Sequence, residues 1–143
     1  MGFVFAFELE GELIGTVRMV PMGRQLTLTE TLCRQMGDGA PSLSAADWEI
    51  GRLVLAPDHR SDVNALRRCL YLALTYSCDH ARVDHFYAAC THVLSRLYRR
   101  FEFMAIARDV PLAGTDKSYT LIRGNPAQIS QALEGKLTAL RPQ

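Results

Sequence analysis

Lysine is almost missing from this chain of 143 residues: 14 of its 16 cationic side chains are arginine, and 15 acidic ones leave a formal net charge of +1. So balanced a chain carries no broad basic field, which excludes non-specific nucleic-acid binding. The arginine excess has a plain reading in the base composition of a GC-rich gene and a functional one in bidentate contacts to phosphate or carboxylate. Cysteine is also scarce. Cys33, Cys69, Cys78 and Cys90 stand singly in apolar segments, without the paired spacing of a zinc site or the density of a disulfide scaffold, and read as reduced core thiols. No long apolar run exists: Phe3–Phe7 meets Glu8 too early for a signal peptide or membrane span, no basic segment precedes it, and the pattern for myristoylation is missing. A cytoplasmic location is expected. Repeats and low-complexity tracts are absent too.

What is present is an ordinary globular composition, 48% hydrophobic and 22% charged, in a chain of single-domain length, so one domain over residues 1–143 is expected. Phe3 to Leu9 and Leu13 to Val20 read as a β-hairpin turning at Glu10-Gly11. Pro21 to Asp47 is rich in Gly, Pro and Ser around a helical turn set at Thr29 to Met36, a long connection of the kind that carries function. Trp48 to Ala56 is the next strand, closed by Pro57-Asp58. Ser61 or Asp62 then caps a helix with Val63, Leu66, Leu70, Ala73 and Ser77 inward, ending near Asp79-His80. Phe86 to Cys90 reads as a buried strand, and Thr91 caps a helix with Val93, Leu94, Leu97, Tyr98 and Phe101 inward. Phe103 to Ala107 and Tyr119 to Ile122 pair as strands. Asn125, Pro126 and Gln128 start a last helix carrying Ile129, Leu133, Leu137 and Leu140.

The strand Glu49 to Ala56 runs through Pro57-Asp58-His59-Arg60 straight into the helix. That geometry aims free backbone N–H groups at one point and makes an anion site, with Arg60 at its mouth and Ser61 and Asn64 as further donors. The alternative is a capped helix with a solvated arginine. His80 and His85 flank Asp79 and Asp84 in a pattern superficially like metal ligands, but their positions fit a helix end and a strand entry. No metal is expected, and His59 and His92 read as neutral surface imidazoles.

Val54-Leu55-Ala56-Pro57-Asp58-His59-Arg60, the strand Tyr87 to Cys90, and Leu97-Tyr98-Arg99-Arg100-Phe101 together resemble the GNAT acyltransferase superfamily over residues 3 to 123. Trp48-Glu49-Ile50-Gly51-Arg52 and the preceding Thr16-Val17-Arg18-Met19-Val20-Pro21 resemble the Glu-x-x-Arg strand and its predecessor in acyl-homoserine-lactone (autoinducer) synthases and long-chain N-acyl amino acid synthases. The fold this implies is α/β (α+β): a mixed, mostly antiparallel sheet flanked by helices, with splayed central strands. The superfamily's opening strand and two helices are not matched here, so a truncated form, a minimal form or one whose missing wall comes from a partner is expected. The hairpin edge left exposed favours a homodimer or strand exchange.

The activity the resemblance implies is direct transfer of an acyl group from a phosphopantetheine thioester, as co-substrate and not as a tightly bound cofactor, to an amine acceptor. Backbone N–H groups around Leu53, Val54 and Leu55 would hold the thioester carbonyl. Glu49 would serve as base, Tyr98 as proton donor to the leaving sulfur, and Arg18 and Arg52 as partners of an acceptor carboxylate. In a regular strand Glu49 and Arg52 face opposite ways, so sharing one site requires a bulge; otherwise the pair reads as a structural salt bridge. Acetyl-CoA-using members carry Gly-x-Gly/Ala after the arginine, where this chain has Val63, Asn64 and Ala65. Lacking that glycine, the loop favours acyl carrier protein over CoA as donor, with Arg60, Arg67 and Arg68 available to an acidic carrier surface. An acetyl-CoA-dependent transferase and a silent acyl-thioester-binding module are the alternatives.

Overall fold

A computed structural model describes residues 2–139, with side chains through residue 135. The chain runs β1 (Phe3–Leu9), β2 (Glu12–Pro21), α1 (Leu28–Met36), β3 (Asp47–Leu55), α2 (Val63–His80), β4 (His85–Cys90), α3 (His92–Arg99), β5 (Met104–Pro111), β6 (Ser118–Gly124) and α4 (Pro126–Ala139). One sheet holds all six strands in the order β1-β2-β3-β4-β6-β5, antiparallel except for the β3–β4 pair. The β1–β2 turn puts both Glu10 (φ 53) and Gly11 (φ 83) in the left-handed region, the conformation whose twist suits a tight hairpin.

Helices cover both faces. On one, α2 supplies Leu66, Cys69, Leu70, Ala73 and Leu74 to a core shared with Val17, Met19, Ile50, Phe86 and Ile122; α4 closes it with Ile129 and Leu133. On the other, α1 packs Cys33 with Met22, Tyr87 and Leu121 in a smaller core. Asn125 caps α4, its Oδ1 accepting from the N–H groups of Ala127 (2.9 Å) and Gln128 (3.3 Å). Of the two leucines expected inward further along that helix, Leu137 lies beyond the described side chains and Leu140 outside the described residues. No described helix is long and apolar enough to cross a membrane.

Three expectations need correction. Val93 is 78% exposed, because it sits in the first turn of the short α3 on the wall of an open pocket. Cys78 is exposed as well: the inward stripe of α2 passes through Ala73, Leu74 and Ser77, and the next position turns outward. Val63 is only half-buried, since α2 begins there.

The feature that positions the site is the β3–β4 pair. Its register runs only from Asp47–His85 to Glu49–Tyr87, although β3 continues to Leu55 and β4 to Cys90. Beyond Glu49 the two central strands part, giving the expected splay.

Candidate active site

Between β2 and β3 the register jumps, with Arg18 opposite Gly51 but Thr16 opposite Val54. One residue of β2, Val17, thus faces two of β3, Arg52 and Leu53, and Arg52 takes φ 51 to make the bulge. This inserted residue cancels the alternation that would send Glu49 and Arg52 to opposite faces. Both side chains line a pocket of about 270 Å³, together with Arg18, Leu28, Gly51 and Ala89. The pocket lies where the central strands begin to part.

Glu49 is not held by Arg52. Its Oε2 accepts from the backbone N–H of Thr29 at 2.7 Å and from the Thr29 hydroxyl at 2.6 Å. The N–H of Leu28 also favours the charged carboxylate. The acid therefore sits against the first turn of α1, where helix amides and dipole favour an anion. Even so, burial outweighs these donors and the nearby Arg18 charge, and pushes the Glu49 carboxyl above the usual carboxylate range. The other oxygen, Oε1, turns toward Gly51, where an added Cβ would stand 3.2 Å from it.

The start of α1 is itself tightly organised. Thr27 caps it by accepting from Glu30 N–H at 3.1 Å, and the Thr27 hydroxyl donates to Glu30 Oε1 at 2.8 Å. Glu30 Oε2 accepts from the N–H groups of Gly23 (3.1 Å) and Gln25 (3.3 Å), tying down the loop that enters the helix. Sequence reasoning missed Thr29 and this scaffold. The pattern Thr27-Leu28-Thr29-Glu30 was the available signal, being a capping box; that its helix points at Glu49, twenty positions along, has no local signature.

The donor side of the splay is more scattered. Leu53 and Leu55 are half-buried and Val54 is 56% exposed, on the stretch of β3 that β4 no longer pairs. Arg60 folds back, its Nε donating to the Leu55 carbonyl at 3.4 Å. Asp62, not Ser61, caps α2: its Oδ1 accepts from the N–H groups of Asn64 and Ala65, both at 3.1 Å. Two of the amides expected to await an anion thus already carry a carboxylate. Ser61 and Asn64 are exposed, and Ala65 is buried in the core.

Arg60 lines an open pocket of about 820 Å³ with Thr91, Val93, Arg96, Arg99 and Arg100. The three arginines of α3 and its C-cap were not anticipated as site residues. Arg67 and Arg68, expected beside Arg60, are drawn elsewhere. Arg67 lies over the Phe101 ring at 5.6 Å, and Arg68 lines a cavity against β1 with Phe7, Leu9 and Ile14.

Tyr98 is 2% exposed and packs edge-on against Phe103 with ring centres 5.1 Å apart. It does not line the Glu49 pocket. Burial raises its phenol far above the ordinary tyrosine range, so the hydroxyl keeps its proton. Burial also pushes the neighbouring Cys90 thiol up to about 12, and Cys90 Sγ donates to the Thr120 carbonyl at 3.7 Å. His85 Nδ1 pairs with Asp47 Oδ1 at 3.0 Å at the entry of β4, and His80 Nδ1 sits 2.8 Å from the Tyr76 carbonyl oxygen at the end of α2. Among the described residues no three His, Cys, Asp or Glu gather into a metal-binding group.

An antiparallel sheet with one splayed parallel pair, a bulged Glu-x-x-Arg strand and a helix leaving the splay define a GNAT-like fold. The chain belongs to the family of N-acyl amino acid synthase FeeM, whose model matches residues 2–125. Solved structures similar to it include the acyl-homoserine lactone synthase LasI (TM-score 0.67, 17% identity, 90% of this chain and 66% of LasI). The CoA-dependent acyl-homoserine lactone synthase MesI is similar at TM-score 0.71 and 14% identity, over 98% of this chain and 71% of MesI. TofI, solved with an inhibitor and MTA, gives TM-score 0.63 at 21% identity over 89% of this chain; the chain spans 65% of the TofI length. No curated protein matches the chain by sequence.

Proposed function

We propose that this protein transfers a fatty-acyl group from a phosphopantetheine thioester to the amine of an amino acid or similar small molecule. The observation that carries the reading is the convergence of Glu49, Arg18 and Arg52 on one pocket at the mouth of the splay. Two guanidinium groups suit an acceptor carboxylate, and a carboxylate beside them suits the ammonium of the same molecule. Glu49, with its proton affinity raised by burial, takes a proton from the ammonium directly or through water. The freed amine attacks the thioester carbon, whose oxygen is held by β3 backbone N–H groups around Leu53 to Leu55. The C–N bond forms and the C–S bond breaks; the further proton that the attacking nitrogen sheds passes to the leaving thiolate by way of the Tyr98 hydroxyl, which ends protonated, and Glu49 gives the ammonium proton up to solvent. No acyl-enzyme is formed, in keeping with a Cys90 thiol that burial holds protonated.

Acyl carrier protein is the favoured donor. Val63 stands where close approach to a pyrophosphate requires glycine, and Asp62 already occupies two first-turn amides. Arg60, Arg96, Arg99 and Arg100 offer charge-assisted contacts to an acidic carrier and its single phosphate. The similar synthase MesI is CoA-dependent, so acyl-CoA is the second donor to assay.

The test is to mix the protein with carrier-protein and CoA thioesters of several chain lengths plus pooled amino acids, and to identify N-acyl products by mass spectrometry. A long-chain N-acyl amino acid is the expected product. Acetyl product alone moves the protein to the acetyl-CoA-dependent transferases. Thioester binding without turnover, unchanged by Glu49→Gln and Tyr98→Phe, makes it a silent binding module instead.

A further inference from the structure

We infer that Thr29, the second residue of α1, is the positioning residue of Glu49: its N–H and hydroxyl together grip Oε2 and thereby present Oε1 to the acceptor amine. The inference rests on the proposed role of Glu49 as base and adds to it a residue on a separate element. Three observations support it. Both Thr29 donors converge on the same oxygen, at 2.7 and 2.6 Å, which fixes the plane of the carboxylate as well as its place. Thr29 is fully buried, so water cannot substitute for its hydroxyl. Oε1 lies on the Gly51 side of the pocket, where only the absence of a Cβ leaves room beside it.

The grip is itself anchored. Glu30, buried one residue on, ties the loop at Gly23 and Gln25 to the cap at Thr27 and so fixes the first turn from which Thr29 donates. A base held by one oxygen keeps the other at a fixed angle to the incoming N–H, and such alignment is what a proton-transfer site needs. The groups facing Glu49 are few. Arg18 reaches it from β2, Arg52 shares its pocket on β3, Tyr87 is its register neighbour on β4, and α1 presents the Leu28 and Thr29 amides. Arg18 and the α1 donors favour the charged carboxylate.

The experiment is a carbon-13 and nitrogen-15 NMR titration of the whole chain, with a pH profile of kcat/KM where turnover is found. In the native chain the Thr29 amide shift and the Glu49 carboxyl should titrate with one midpoint, and Glu49→Gln should abolish the Thr29 response. Thr29→Val, of similar shape but without the hydroxyl, should move the Glu49 midpoint and the acidic limb of the profile to higher pH and lower kcat/KM about tenfold or more. Thr29→Ser should restore all three. A Thr29 amide indifferent to Glu49, or a folded Thr29→Val with native midpoint and profile, overturns the inference. If the native chain turns over no substrate, the proposed function fails while the NMR titrations still decide whether Thr29 holds Glu49.

Discussion

The bulge at Arg52 is the device that turns a strand into a site, and replacing Arg52 separates its backbone role from its side-chain role. Arg52 holds φ 51 while its side chain is exposed, so a substitution there changes backbone preference with almost no loss of buried contact. The left-handed backbone costs a non-glycine residue about 1 kcal/mol. Arg52→Gly removes that cost and adds back roughly 0.5–1 kcal/mol through glycine's larger unfolded-state entropy, leaving stability close to native. Arg52→Val keeps the left-handed requirement and adds a β-branched clash, for a loss of about 1–2 kcal/mol. At about 3 °C per kcal/mol for a chain of this size, thermal unfolding should place the valine variant some 3–6 °C below the glycine one. Both variants lack the guanidinium. With a charge-assisted hydrogen bond worth about 1.5–3 kcal/mol, both should lose roughly 10- to 100-fold in kcat/KM for an amino acid acceptor. Equal stability of the two would refute the bulge, and undiminished turnover in either would remove Arg52 from the acceptor site.

Other outcomes follow from the same geometry. Gly51→Ala places a Cβ 3.2 Å from Glu49 Oε1 and should cut turnover about tenfold or more with circular dichroism unchanged; native kinetics would mean Oε1 has no part in the reaction. Because burial raises the Glu49 carboxyl above its unfolded value, ionisation opposes folding: the fold loses stability as pH rises through the raised value and none below about pH 4. Denaturant midpoints should therefore show Glu49→Gln matching the native chain in acid and exceeding it at neutral pH, with activity lost; the opposite order would refute the desolvation argument. Tyr98→Phe removes one buried hydroxyl beside Phe103 and should lower turnover roughly 100-fold while the fold is kept, whereas unchanged rates would make Tyr98 a core residue alone. The outer side of β1 is a sheet edge carrying Val4 at 77% exposure, so sedimentation should detect a homodimer; a strictly monomeric profile counts against it.

Local patterns determined much of this protein. The hairpin, the Thr91 and Asn125 caps, the spacing of α2 and the strand from Trp48 each depend on neighbours within a few residues, where propensity and periodicity act, and the structure places them as expected. The Glu-x-x-Arg strand was legible as a site through its resemblance to the acyl-homoserine-lactone and N-acyl amino acid synthases, along with the condition that a bulge must join its two ends. Whether that condition is met was a tertiary matter: the bulge arises from the pairing of β3 with β2 between Thr16 and Arg18, more than thirty positions away. The amides of the β3–α2 turn looked free because a helix start leaves them free, and the side chain of Asp62 then took two of them. Val93 and Cys78 follow an apolar pattern into solvent because periodicity marks a stripe without showing what, if anything, packs over its ends. Thr29 lies furthest from sequence reach. Its bonds to Glu49 need α1 laid across the sheet with its N-terminus at the splay, an arrangement set by the packing of Cys33 with Met22, Tyr87 and Leu121. Sequence determined which groups are chemically able to act; packing across the sheet decided which of them meet.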